Sequence, residues 1–139
     1  MANRITFVIS IVFISLLVGC GSQGTILTGA DRDAVLGFTE AKTDNLLAGM
    51  NEGNYAMFSL DFDSAMLTGI TQAGFVDMKK DRDGKLGLYV SRQVNSVIKQ
   101  GAYYVVIYDA IFEKDDAVVV RVVFNIEEPH QISGLWFNK

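Results

Sequence analysis

Hydrophobic positions along the 139 residues follow three successive patterns. Residues 5–18 are apolar in an almost unbroken run, interrupted only by Thr6, Ser10 and Ser15. Over residues 31–51 the apolar positions recur with a helical period. At about 100° per residue, Asp33, Glu40 and Asp44 share one narrow arc, while Ala34, Val35, Phe38, Ala41, Leu46, Ala48 and Met50 take the broad opposite side. This predicts an amphipathic helix whose buried face is broken by Asn45. The stretch Asn51-Glu52-Gly53-Asn54 ends it, with Gly53 suited to the left-handed position past the last turn. Residues 55–60 read as further helical turns, 62–70 carry no single period, and 71–82 read as another helix ending at Asp83-Gly84.

After Gly87 the period falls to two. Four β-rich runs follow, at residues 88–99, 102–113, 117–127 and 131–137, with connectors of two or three residues. Links that short permit hairpins and forbid parallel crossovers, so the sheet is expected to be antiparallel. Helices followed by a meander predict an α+β layer pair, with the N-terminal helices on one face of a curved four-stranded antiparallel β-meander. In the second run Tyr104, Val106, Tyr108, Ala110 and Phe112 share one side. In the third, Val118, Val120, Val122, Phe124 and Ile126 do so, and these apolar sets are expected to meet the helices. The opposite sides mix Val105, Ile107, Asp109 and Ile111 with Val119, Arg121 and Val123, which is oilier than a purely solvated face needs to be.

The N-terminal apolar run is too short to span a bilayer, which takes about 20 residues, and it has the length of a signal-peptide core behind Arg4. It closes on Leu17-Val18-Gly19-Cys20 and holds the only cysteine of the chain. This stretch resembles the lipobox of prokaryotic lipoproteins, which implies cleavage after Gly19 and a diacylglyceryl thioether on Cys20. A lone cysteine cannot form an intramolecular disulfide, and two acyl chains give a stable anchor where one is marginal. The expected organisation is a signal peptide at residues 1–19, a lipidated cysteine and short Gly/Ser/Thr tether at 20–30, and one domain at 31–139. The expected location is the cell envelope, lipid-anchored to a membrane on the outside of the cytoplasm.

Charge narrows the partners further. The chain carries 12 basic and 16 acidic residues, and loss of Arg4 with the leader leaves 11 against 16. An acidic domain without a basic run is a poor fit for nucleic acid. The single histidine, His130, follows Pro129 in a turn and is expected to be exposed there. One histidine and a modified cysteine leave no set for zinc or for Cys/His catalysis. Asp81-Arg82-Asp83-Gly84 has the look of part of a calcium loop, but Lys79 and Val90 stand where the first and last ligands would be. Asp61 and Asp63, on either side of Phe62, are likewise too few for a site. No metal and no cofactor is expected.

The order of elements, one long helix, shorter helices and then a long meander, resembles the nuclear-transport-factor-2-like (cystatin-like) fold. More narrowly, Asn51-Glu52-Gly53-Asn54-Tyr55 with Phe58, Phe62 and Met66, then Leu86-Gly87-Leu88-Tyr89 and Gly134-Leu135-Trp136-Phe137, resemble a family of small prokaryotic lipoproteins with a domain of unknown function on that fold. The resemblance implies a cone with a pocket between sheet and helices and brings no catalytic residues.

Phe38, Tyr104 and Tyr108 are the candidate pocket residues, suited to a small apolar ligand. Val105, Ile107, Val119 and Val123, framed by Asp109 and Arg121, are the candidate interface, for a second copy or another envelope protein. Asp109 and Arg121 read first as a cross-strand ion pair. The favoured function is a non-enzymatic, membrane-anchored domain that binds a ligand or partner. The alternative is a small cavity enzyme of the ketosteroid-isomerase-like kind, which needs an acid in an enclosed pocket beside a tyrosine.

Overall fold

A computed structural model of the chain describes residues 23–139; the apolar leader and Cys20 lie outside the described residues. The described residues begin with a two-residue strand β1 (Thr25–Ile26) and a long helix α1 (Gly29–Glu52), then three shorter helices, α2 (Tyr55–Phe58), α3 (Ser64–Gly69) and α4 (Gln72–Lys85). Four long strands complete it: β2 (Tyr89–Gln100), β3 (Tyr103–Phe112), β4 (Asp115–Asn125) and β5 (Ile132–Asn138). The sheet order is β1-β2-β3-β4-β5, with every neighbour antiparallel.

The α+β layering and the antiparallel meander are as the periodicity predicts, but the sheet has five strands and not four. The additional strand comes from the segment expected to be a tether. Thr25 pairs with Lys99 and Ile26 with Ile98, so this Gly/Ser/Thr-rich stretch joins the sheet through its backbone, which no side-chain pattern announces. α4 also runs past Gly84 to Lys85. There Leu86 N and Gly87 N donate to the carbonyls of Arg82 and Asp83, closing the last turn.

Three N-caps define the short helices: Asn54 accepts from Met57 N, Asp63 from Met66 N and Thr71 from Gly74 N. Gly53 ends α1 in the left-handed region at φ 69°, the conformation a glycine adopts without steric cost. The core lies between the helices and one face of the sheet. It contains Val35, Leu46, Leu47 and Met50 of α1, Phe58, Phe62 and Phe75 of the helical layer, and Val97, Val106, Tyr108, Ala110, Phe112, Val118, Val120, Val122, Phe124 and Ile132 of the sheet. The β3 and β4 residues among these belong to the alternating sets expected to meet the helices; Tyr104 and Ile126, expected with them, are half-buried.

α1 is turned relative to its expected orientation. Thr39 and Thr43 are fully buried, whereas Ala34 and Ala41 are exposed. The buried stripe thus runs through Val35, Thr39, Thr43, Leu46, Leu47 and Met50. In its polar middle the Thr43 hydroxyl has partners inside, described below, and the Thr39 hydroxyl has none among the described residues.

Candidate functional site

The interior polar cluster is built on the threonine stripe of α1 and on the helix-facing sides of β2 and β3. Tyr108 is fully buried, and its hydroxyl donates to Glu40 Oε1 at 2.6 Å. Thr43 Oγ1 lies 2.9 Å from the Thr39 carbonyl and 3.1 Å from the Tyr108 hydroxyl. Two hydroxyl protons thus serve three contacts: with the Tyr108 proton on Glu40, the Thr43 proton is shared between the carbonyl and the phenol oxygen. Arg92 of β2 caps the cluster with its guanidinium carbon 5.0 Å from the Tyr108 ring centre. It pairs with Glu40 at 3.1 Å and with Asp44 at 2.7 Å, and it donates to the Tyr89 hydroxyl at 3.2 Å.

These contacts set the charge states. Burial, followed by the bond to Glu40, raises the Tyr108 pKa above its ordinary value of 10.0. For Arg92, burial would weaken the charge, but the bonds to Asp44 and Tyr89 and the nearby Glu40 carboxylate outweigh it and raise its pKa. The cluster joins two acids and a threonine of α1, Glu40, Asp44 and Thr43, to the Arg92 guanidinium and Tyr89 phenol of β2 and the Tyr108 phenol of β3.

Glu40, Asp44 and Arg92 were not singled out in the sequence. Glu40 and Asp44 lie four residues apart on the arc read as solvated, and the position of Arg92 across from them depends on how β2 packs against α1. An available signal was the pairing of two acids at helical spacing with an arginine in the first long strand.

Phe38 and Tyr104 line a shallow depression of about 270 Å3 with Leu27, Asp31, Val35 and Lys99. Tyr108 does not reach it. His130, expected as an exposed turn residue, is instead half-buried: its ring stacks on Phe38 at 3.9 Å and 15°, and Nδ1 lies 3.1 Å from the Asn125 carbonyl oxygen. The apolar surface of Phe38, presented by the helix that the turn faces, accounts for this position.

A larger groove of about 360 Å3 opens between the C-terminal half of α4 and the edge strand β5. Met78 and Leu86 wall one side, Leu135 and Phe137 the other, with Arg82, Lys85 and Lys139 among the lining residues. Arg82 is 4% exposed. It donates to Asp83 and to Asn51 Oδ1, and Asn51 in turn clamps both the N–H and the carbonyl of Tyr89. The Asn51 motif is therefore a structural joint between α1, α4 and β2.

On the open face of the sheet, Val105 and Val123 are direct neighbours, each less than a tenth exposed. Ile107 and Val119 are half-buried, whereas Ile111 and Trp136 are exposed. Asp109 accepts from Asn95 Nδ2 at 3.0 Å, and Arg121 stacks its guanidinium 5.3 Å from the Trp136 ring centre. No ion pair joins Asp109 to Arg121 among the described residues, because Asp109 sits opposite Val119 and Arg121 opposite Ile107 and Trp136.

The other acids singled out are also engaged. Asp63 accepts from Met66 N, Ser133 Oγ and Asn125 Nδ2; burial acts to raise its pKa, but these bonds prevail and lower it. Asp61 pairs with Lys42, Asp81 with Lys85, and Asp83 with Arg82 and Lys79. Among the described residues no group of three or more metal-ligating side chains converges, and no helix is long and apolar enough to cross a membrane.

A family model described as "Protein of unknown function (DUF3887)" matches residues 43–135, from the middle of α1 to β5. No curated protein and no solved structure matches the chain.

Proposed function

The chain belongs to the DUF3887 family, and from this premise we propose that it is a non-enzymatic binding domain, lipid-anchored through Cys20 to a cell-envelope membrane outside the cytoplasm, that takes a small apolar ligand. We read its layered α+β body as a nuclear-transport-factor-2-like cone, in which a hollow between helices and sheet is the usual place for a ligand. The observation that carries the ligand reading is the groove between α4 and β5, whose walls of Met78, Leu86, Leu135 and Phe137 are apolar and whose lining includes three cations. The anchor reading rests on the short apolar leader ending at the lone Cys20.

The enzyme alternative requires a phenol and an acid facing a substrate. Tyr108 and Glu40 do meet, but Tyr108 is fully buried, its proton is held by Glu40, and Arg92 lies over its ring. A donor already used within the protein is not available to polarise a carbonyl, which favours binding over chemistry. Partner docking on the open sheet face, by a second copy or another envelope protein, is supported by less surface than its sequence suggested, since Val105 and Val123 are buried.

The groove is tested with anilinonaphthalene sulfonate, an apolar anion whose fluorescence rises on transfer from water. Saturable binding to the folded domain, lost in Leu135→Asp and retained in Val119→Asp on the open face, is the expected result. Equal binding by both variants, or none by the unmodified protein, contradicts the groove as the ligand site. Native mass spectrometry of protein taken from its own membranes then identifies a retained small molecule.

A further inference from the structure

The position of β1 fixes which surface of the domain can meet a bilayer, an inference that rests on the lipid-anchor reading above. β1 runs antiparallel to β2, with Thr25 opposite Lys99 and Ile26 opposite Ile98. Going backwards from Thr25, the chain leaves the sheet beside Gln100 and the β2–β3 turn; a Cβ on Gly24 would touch Ile98 and lie 3.5 Å from Gln100. Only five residue steps separate Cys20 from Thr25, a reach of at most about 18 Å even when fully extended. A lipid on Cys20 therefore brings the β1 edge and the β2–β3 turn to the membrane and leaves no slack for the domain to turn over.

That corner is the place where the fold exposes large apolar side chains beside the exit. Ile26 is 66% exposed and Tyr103, directly after the turn, 43%. Ile26 shares the open face of the sheet with Ile98, and Tyr103 lies on the same face one row further toward the exit. Exposed Lys99 stands between them on the opposite face. An isoleucine, a tyrosine and a lysine around an anchored end form the usual chemistry of the headgroup layer, where a phenol ring and a long cationic stem both find mixed surroundings.

We propose that the β1 edge and the β2–β3 turn, through Ile26 and Tyr103, form the surface that rests in the bilayer interface. The α4–β5 groove then opens on the opposite side. Four strand spacings separate β1 from β5, about 19 Å, so the groove faces the aqueous compartment.

The test uses the full lipidated chain reconstituted in phosphatidylcholine vesicles, with and without bromine on the acyl chains, which quenches tryptophan by contact. Trp136 is the only tryptophan and lies on β5, so the native protein is the control for the far edge. In Trp136→Phe combined with Ile26→Trp, emission is expected to fall about twofold or more in brominated vesicles, as for a residue in the interface, while the native protein is nearly unaffected. Tyr103→Trp on the same background provides a second probe. Vesicle-bound protein with both probes unquenched, or with Trp136 quenched equally, overturns the assignment. Unquenched probes with concentration-dependent dimerisation by light scattering give the edge to a second copy and overturn it too. A chain without the diacylglyceryl mass that stays out of the vesicles overturns the anchor reading and this inference with it.

Discussion

At the scale of single residues, the centre of the protein is a polar knot that hydrophobic periodicity half reveals. Alternation along β3 is enough to put Tyr108 on the helix side, because a strand residue has only two faces to choose from. The same reasoning fails for Glu40. A helical wheel ranks positions by polarity, and so it assigned Glu40 to solvent, whereas a long carboxylate at the edge of the buried stripe can reach inward to a phenol. Thr39 and Thr43 were missed for a related reason: a wheel ranks a threonine below an alanine for a core position. The Thr43 hydroxyl instead finds the Thr39 carbonyl and the Tyr108 phenol inside, and Thr39 is buried beside it with its own hydroxyl unpartnered among the described residues. Tyr108→Phe removes the donor to Glu40 and is expected to lower stability by about 1 to 2 kcal/mol at neutral pH. The raised pKa of Tyr108 sets the pH dependence. Its contribution is fully present below the ordinary value of 10.0 and is lost as pH rises through the higher folded value. Urea unfolding of the two proteins should thus show a constant gap up to about pH 10 that narrows above it. A gap that widens in alkali would show that the phenol is not held neutral.

At the scale of elements, the long strands and α1 were legible because each buries one face over many residues, and the period survives local exceptions. β1 was not, since two residues joined to a sheet by backbone bonds leave no period to read. The short helices are specified by caps, not by pattern: Asn54, Asp63 and Thr71 each close a first turn in stretches that looked ambiguous or weakly helical. The α1–α2 contact depends on Gly49, where an added Cβ would strike the backbone of Met57 and Phe58. Gly37, in the same helix, has open space at the corresponding point. The two substitutions should therefore have opposite signs. Gly37→Ala is expected to stabilise by about 0.5 to 1 kcal/mol through helix propensity, and Gly49→Ala to destabilise by about 1 to 3 kcal/mol because overpacking outweighs that gain. Thermal unfolding of both variants checks the pair; stabilisation by Gly49→Ala would mean that α1 and α2 do not pack this closely.

At the scale of the whole molecule, the sheet has two edges with different surroundings. β1 brings the chain in from Cys20, and β5 forms one wall of the apolar groove under α4. The open face between them is narrower as an interface than its sequence suggested, because Val105 and Val123 are covered by their neighbours and Arg121 lies on Trp136. Side-chain alternation could place those residues on a face but could not say how far the neighbouring side chains would close over them. The proposed function combines the two edges, with an anchor at one side and a ligand at the other. It depends most directly on the chemistry at Cys20. The decisive measurement is the intact mass of full-length protein expressed with its leader in a lipoprotein-processing bacterial host and extracted from its membranes. Lipid anchoring predicts a chain that starts at Cys20 and carries a diacylglyceryl group. A free thiol at Cys20, or a chain that retains the leader, would contradict it.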